Sequence, residues 1–575
     1  MMSHSKIKVL VQSNYSRMVT GFGKNMKNIL LALHKDPEIE VIEASNGVPY
    51  GRDMATPWDS YGTYPSNKKI LKSVEGNAAK KRAAQYGFYH IDEIVEKCQP
   101  DVFLGIEDIW AFREYENKPW WSKTKKIIWT TLDSLPILDH ALEVEPKCDQ
   151  MLVWASFAEE AMKELGHNTV STLHGAVDYS HFKPLGNRNE LRNLHGLDSD
   201  FVIGFVFKNQ LRKSVPNLLE GFVKFKANNP KVSAKLLLHT DWGEKSMGWD
   251  IPRYLKEKDL EDGSVLATYV CHKCGDYFIQ PYSGEDKDCS SCGSKKSVKT
   301  KNSGKGVGEK ELNEIYNLMD VYCHPFTSGG QELPIQEAKA AGLITLVTDY
   351  SCGTDSAYEH QGGLPLAWNE YREPSTQFIK ATTCPKSICD RLHEVYTMSE
   401  DRKSKLIETG IHYVKEKFSV QNTVSQLKHF IKNVKNRSDQ GKEKQTGNEK
   451  PVKKTSFEDL LKDVDKKDRI AVLMPESGGD ILMINSLIEN LQDLYPDKKI
   501  FFFTKPEFFD FINDNPFVHK VLPYNQQIDN LLNLEGVAEH EGFFEIAFLP
   551  NVGTQKVLNY IHNGKDKNTY SPCQI

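Results

Sequence analysis

Two hydrophobic patterns alternate along the chain. Short, continuously apolar runs occupy residues 7–12, 40–44, 100–105, 126–131 and 150–155. Between them, apolar positions recur at helical spacing over 25–33, 82–97 and 157–165. A short run that is apolar throughout reads as a strand buried on both faces, and strands alternating with helices build a parallel α/β sheet. The alternation resumes with strands at 202–207, 234–239, 321–323 and 343–347 and helices at 215–226, 307–319 and 334–341, then ends in helices at 387–398 and 400–417. This predicts two α/β domains, over 1–190 and 197–385, with closing helices over 386–435. Residues 46–80, rich in Gly, Pro, Ser and Lys, read as a loop.

Residues 436–456 are almost devoid of apolar side chains and dense in Lys, Glu, Gln and Asn, so 436–466 is predicted as a polar linker. A new α/β unit follows over 467–575, with strands at 470–475 and 500–504 around a Glu476-Ser477-Gly478-Gly479-Asp480 loop and a helix. Three such units suit a chain of 575 residues that is 39% hydrophobic and 10% aromatic. A net charge of −5 carries no global signature of nucleic-acid binding. No apolar run reaches the ~18 residues of a transmembrane helix, and residues 1–13 lack the apolar core of a signal peptide. Four of the eleven cysteines fall in one cluster, which is not a secreted disulfide framework; a reducing, cytoplasmic setting is expected.

The loop between the strand at 321–323 and the helix at 334–341 is the first candidate for chemistry. Gly329 and Gly330 let the backbone approach a ligand, and the helix start at Leu333–Pro334 offers free amides and positive dipole to a phosphate. Glu337, one turn in, is placed to accept hydrogen bonds from sugar hydroxyls. At the exit of the strand 202–207 lie Lys208, Arg212 and Lys213, cations suited to a polyanion. Near the N-terminus, Gly21 and Gly23 make a turn ahead of a helix, with Lys24 beside them.

Cys271-x-x-Cys274 and Cys289-x-x-Cys292 are separated by fourteen residues, and a glycine, Gly275 or Gly293, follows each pair. Four thiolates in two such knuckles make a closed tetrahedral zinc site, which is structural rather than catalytic. This predicts a zinc-ribbon insertion over 266–302, with Lys295, Lys296, Lys299, Lys301 and Lys305 on its far flank. The ribbon is either a staple for a long loop or a contact surface for nucleic acid or protein.

Gly329-Gly330-Gln331-Glu332-Leu333-Pro334-Ile335-Gln336-Glu337-Ala338 resembles the nucleotide-sugar motif of the family 4 retaining glycosyltransferases, Glu-Gly-Phe-Gly-Leu-Pro-x-x-Glu-Ala. The resemblance covers about residues 5–430 apart from the zinc insert, and implies the GT-B fold of two Rossmann-like domains. It assigns Glu337 to the nucleotide ribose. The family's first glutamate position is Gly329 here, and Glu332 stands three residues on as its potential replacement. The family's diphosphate-binding Arg and Lys, five apart, fall on Lys208 and Lys213, with Arg212 as an alternative guanidinium. The turn at Gly23 and Lys24 would face the donor. Of the family's His-Asp lining the acceptor cleft only Asp133 remains, since Leu132 holds the other place; Asp133 otherwise reads as a turn residue. His174, in Ser171-Thr172-Leu173-His174-Gly175-Ala176-Val177-Asp178, matches the interdomain signature as a hinge residue. Residues 467–575 resemble the N-terminal half of the family 9 heptosyltransferases, through Gly479-Asp480.

The expectation is therefore an α/β protein of GT-B fold, with a four-cysteine zinc-ribbon insertion and a third C-terminal Rossmann-like domain. Its implied activity is retaining transfer from a nucleotide-diphosphate sugar to a glycan, nucleic-acid or protein acceptor, without a catalytic metal. Lys208 and Lys213 would stabilise the leaving diphosphate and Asp133 would line the reacting centre. Gly23, Lys24, Arg212, Gly329, Gly330, Glu332, Leu333, Pro334 and Glu337 would hold the donor. The alternative is a degenerate, non-catalytic relative that recruits a partner through its ribbon and third domain.

Overall fold

The strands of the first sheet are apolar throughout because both of their faces are covered. In β1 (Ile7–Asn14), Val9 and Val11 join one core layer and Leu10 the other. β1 is an interior strand of a seven-stranded sheet with β2 (Ile39–Pro49), β3 (Asp59–Tyr64), β4 (Val102–Ile106), β5 (Lys125–Thr130), β6 (Gln150–Val153) and β7 (Val170–Thr172). The order is β3-β2-β1-β4-β5-β6-β7, and every pairing is parallel. This computed structural model describes residues 6–18, 20–244, 246–300, 306–435, 460–474, 478–524, 543–548, 550, 557–561 and 569–570. Of the polar linker expected at 436–466, residues 436–459 lie outside them, as do Lys301 and Lys305 of the basic flank and Pro475, Glu476 and Ser477; at its far end Leu461 is not linker but buried in the second unit's core, with Leu460 and Val464 packed against it. The chain divides into two units, 1–446 and 447–575.

The second sheet of the first unit contains β8 (Phe201–Val206), β9 (Ala234–His239), β10 (Val265–Cys271), β11 (Tyr277–Pro281), β12 (Val298–Lys299), β13 (Val321–His324), β14 (Ile344–Thr348) and β15 (Gly363–Leu366). Its order is β11-β10-β9-β8-β13-β14-β15, parallel except where β11 and β12 pair antiparallel with β10. The cysteine hairpin therefore continues the edge of this sheet. Cys271 ends β10, and Cys271, Cys289, Ile279 and Val298 belong to the lobe's own hydrophobic core. A separate antiparallel hairpin, β16 (Trp368–Arg372) with β17 (Ile379–Thr383), reaches the first lobe: the Ile379 amide donates to the Leu135 carbonyl at 2.7 Å.

Three closing helices follow, Pro385–Thr397, Glu400–Lys417 and Val420–Asn433. The sequence reading had the first two alone. The third returns to the first lobe, where Val424, Leu427 and Ile431 share a core with Met26, Ile29, Leu30 and Leu33 of the helix Gly21–His34.

Three local expectations give way. Residues 46–80 carry the end of β2, all of β3 and a helix, Lys68–Val74, rather than a loop. The helix expected at 82–97 is two helices, Ala78–Gln85 and Ile91–Cys98, broken at Gly87, which has φ +86° and would drive a Cβ to 2.5 Å from Gln12 Nε2. Gly21 and Gly23 do not form a turn ahead of the helix but lie in its first turn, capped by Thr20. Gly23 is there because a Cβ would sit 2.3 Å from the Met18 carbonyl oxygen.

The second unit has its own sheet, β18 (Arg469–Leu473), β19 (Lys499–Thr504), β20 (Val518–Pro523), β21 (Ile546–Phe548), β22 (Val557–Ile561) and β23 (Thr569–Tyr570), ordered β20-β19-β18-β21-β22-β23. The first four are mutually parallel and the last two add antiparallel. Ile470 and Val472 face one core, Ala471 and Leu473 the other, the signature of a sheet covered on both sides. The single helix expected after the glycine loop is split into Gly478–Asn485 and Ile488–Leu494.

Candidate active site

Loops at the C-terminal ends of parallel strands are where α/β sheets place their ligands, because the helix that follows each strand turns its amides towards that edge. In the second lobe the loop after β13 leads into the helix Leu333–Ala340, with Pro334 in its first turn. The segment after β8 coils into a single turn, Leu211–Lys213, which brings Arg212 and Lys213 back over that helix start.

Both cations meet one carboxylate. Glu332 takes Arg212 Nη1 on one oxygen and Lys213 Nζ on the other. His324 Nε2 lies 3.2 Å from the second oxygen. Lys213 is 3% exposed and Glu332 is 4% exposed, so the group sits in a low dielectric. Burial alone would raise the Glu332 carboxyl; Arg212 and Lys213 hold it well below the usual range. Burial and the adjacent Arg212 push the Lys213 ammonium down to about 8, with Glu332 pulling the other way. Burial lowers His324 to about 4, so its ring is neutral. The Tyr322 hydroxyl donates to the Val206 carbonyl at 3.0 Å and lies 2.9 Å from His324 Nδ1, while Nε2 is turned to Glu332. Lys208, just after β8, is exposed; behind the Ser246 and Met247 hydrogen bonds, its charge helps hold Glu244 ionised.

Gly329 and Gly330 are required by space. A Cβ on Gly329 would come 2.9 Å from Glu332 Oε1 and 3.3 Å from Arg212 Nη1. A Cβ on Gly330 would come 2.4 Å from Thr131 Cβ and 2.8 Å from Asp133 Oδ1. The loop after β13 thus lies directly against the loop after β5. There Thr131 Oγ1 donates to Asp108 Oδ1 at 2.7 Å, and Asp133 is exposed. Asp108 is raised by burial, a shift that Asp133 reinforces and Arg212 opposes. Its neighbour Glu107 is 1% exposed and raised by burial to about 8.

The first lobe contributes a cation as well. Lys24 Nζ lies 3.6 Å from Glu337 Oε1, while the Tyr316 hydroxyl donates to Glu337 Oε2 at 2.9 Å. Leu333 packs opposite Gly21, whose Cβ would meet its Cδ1 at 3.8 Å. Gln331 clips the lobes together: its side chain accepts from the Gly175 amide at 2.6 Å and donates to the Gly175 carbonyl at 3.0 Å. His174 stands apart from the cations, bonded to the Trp154 carbonyl at 2.8 Å and stacked on Phe418.

Sequence reasoning missed Lys380, whose ammonium donates to Ser134 of one lobe and Ser328 of the other, each at 2.8 Å. Burial lowers its pKa, against the pull of Glu373 and Asp133. No motif marks it, because its place depends on the β16–β17 hairpin crossing the cleft. Asp108 and His324 were missed for the same reason: each is an ordinary residue at a strand end until its neighbours are known.

The four cysteines converge as the spacing predicts. Cys271 and Cys292 Sγ are 3.7 Å apart, as are Cys274 and Cys289, and all four lie within 4.8 Å of one another. Sulfurs at ~2.3 Å from a tetrahedral ion would be about 3.8 Å apart, so the set fits a metal. Gly275 and Gly293 take φ of +87° and +71° in the two knuckle turns. On the basic flank, Lys295 pairs with Asp288 at 2.8 Å and Lys299 with Asp286 at 2.9 Å, so its positive field is partly answered from within. Among the described residues no helix is long and apolar enough to cross a membrane.

No family model matches the sequence, and no curated protein matches it. Among solved structures, the chain is similar to sucrose-phosphate synthase from Thermosynechococcus elongatus, at 12% identity over 74% of this chain and 98% of that one, with a TM-score of 0.51. It is also similar to the apo structure of OtsA, at 10% identity over 75% of this chain and 100% of that one, with a TM-score of 0.50. With its two facing parallel sheets, the first unit has the GT-B fold.

Proposed function

We propose that the first unit is a retaining glycosyltransferase that takes its sugar from a nucleotide-diphosphate donor. The observation that carries this reading is the convergence, at the ends of two parallel sheets, of a glycine loop, a helix start, the Arg212–Lys213 pair and Glu337. Glu337 would hold the ribose. Arg212, Lys213 and the helix N-terminus would stabilise charge on the departing diphosphate, so the chain's own cations do the work a catalytic metal could do. Arg212 would take the guanidinium role, since it shares the Glu332 carboxylate with Lys213 while Lys208 is exposed. Asp133 and Asp108 face this centre from the first lobe, where the acceptor would enter.

The four-cysteine cluster would bind zinc as a structural ion, since four thiolates fill its shell. Its continuity with β10 supports the staple role over nucleic-acid recognition. The second unit fits a Rossmann-like half domain of heptosyltransferase type, acting as an accessory or acceptor module. A cytoplasmic setting suits a cluster of reduced thiols.

The test is incubation of the full chain with a panel of nucleotide-diphosphate sugars, with mass spectrometry of the products and with or without EDTA. Sugar release or transfer from one donor, retained anomeric configuration and insensitivity to EDTA are expected. One observation favours the rival reading of a non-catalytic relative: Glu332 already occupies both cations and cancels one of their two charges, and Gly329 offers no carboxylate. Absence of both donor binding and turnover across the panel would establish that rival.

A further inference from the structure

We propose that Glu332 is a resident anion: it occupies the Arg212–Lys213 pair while the donor site is empty, and yields the pair to the donor's diphosphate. This rests on the reading of the cleft as a nucleotide-sugar site and adds how that site is held ready and emptied.

Three observations carry it. First, Glu332 bridges the two cations with one oxygen each, as a phosphate oxygen pair would. Second, it does so from the cap position of the donor helix without capping it, since no side-chain hydrogen bond runs from Glu332 to the helix amides. The negative group nearest the helix start thus ignores the dipole and spans the cations instead. Third, the amides of Gly330 and Gln331 donate to no backbone acceptor among the described residues, which leaves two further donors beside it for an anion.

Charge then dictates exchange. Arg212 and Lys213 supply at most two positive charges, and Glu332 cancels one. Adding a diphosphate without moving Glu332 would crowd like charges into a buried site, where repulsion is severe. Displacing Glu332 without a replacement would leave the cations uncompensated, which is equally costly. A one-for-one swap keeps the site near neutral throughout. Glu332 therefore weakens diphosphate binding and hastens loss of the nucleoside diphosphate product, by competing for the same two cations.

The test compares the parent with Glu332→Gln, which keeps shape and removes charge, and with Glu332→Asp, whose shorter arm cannot span both cations. Binding of inorganic pyrophosphate and of UDP, GDP and ADP is measured calorimetrically on the full chain, and circular dichroism confirms the fold. Glu332→Gln should bind pyrophosphate and the preferred nucleotide at least tenfold more tightly, and Glu332→Asp about threefold. If Glu332→Gln does not fold, Glu332→Asp decides. Equal or weaker binding by the folded variants overturns the exchange but leaves the donor site standing, provided one nucleotide still binds. If no protein binds any nucleotide or pyrophosphate, both this inference and the proposed function fall.

Discussion

Gly330→Ala tests how closely the lobes must fit. The new Cβ would lie 2.4 Å from Thr131 Cβ, 3.1 Å from Thr131 Cα and 2.8 Å from Asp133 Oδ1. Asp133 is exposed and can rotate away. Thr131 cannot, because it follows β5 directly and its hydroxyl is tied to Asp108 at 2.7 Å. Carbons rest comfortably at about 3.5–4.0 Å, so the loop after β13 must retreat by roughly 1 Å or more. Overpacking of this kind costs about 1–3 kcal/mol of stability. Displacing a positioned reactant by ~1 Å costs on the order of 10²-fold in rate, or about 2.7 kcal/mol of barrier. Nucleotide affinity should fall as well, because the retreating loop carries the Gly330 and Gln331 amides, although Glu337, Arg212 and Lys213 stand on neighbouring elements that need not move. Steady-state turnover by mass spectrometry, nucleotide calorimetry and thermal unfolding together read these three effects. Thr131→Gly in the same chain removes the opposing Cβ and should recover most of the lost rate. A folded Gly330→Ala protein that turns over within threefold of the parent would refute the argument that lobe contact at this glycine sets the reacting geometry.

Lys213→Ala should lower turnover by about 10²–10³, and it should also destabilise the fold by up to about 3 kcal/mol, since Lys213 is buried against Glu332 rather than solvated on a loop; kinetics and chemical denaturation separate the two. Elemental analysis should find about one zinc per chain, and Cys271→Ser should lower the unfolding temperature of the second lobe itself, because Cys271 ends β10 within that lobe's core. Glu107 keeps its proton to about pH 8 when folded but loses it near its ordinary value when unfolded, so the folded chain binds the extra proton between these limits. Its contribution to stability therefore falls as pH rises from about 5 to 8, by an amount on the order of a few kcal/mol, and Glu107→Gln should flatten that slope in denaturant titrations at a series of pH values.

Much of the scaffold was legible because its cause is local. A strand covered on both faces must be apolar throughout, so β1, β4, β8, β13 and β14 could be placed within a residue or two. The cysteine cluster was legible for a similar reason: two knuckle turns aim their thiolates without help from the rest of the chain. Where the expectation failed, a distant neighbour had intervened. Gly87 breaks a helix to make room for Gln12, and no pattern within residues 82–97 announces that contact.

By itself, the sequence determined the alternation of strands and helices, the polar stretch between the two units, the ribbon, and the loop on which a phosphate-binding centre would sit. Tertiary structure decided the electrostatics of that centre. Glu332 and Lys213 lie 119 residues apart, and only the pairing of β13 with β8 brings them together. Burial then makes one carboxylate the partner of both cations, strips His324 of its charge and leaves Lys208 in water. Lys380 joins the cleft because a hairpin crosses it. Residue type and spacing set which groups are available; the dielectric around each and the identity of its neighbours set their charge and role, and both are properties of the packed fold.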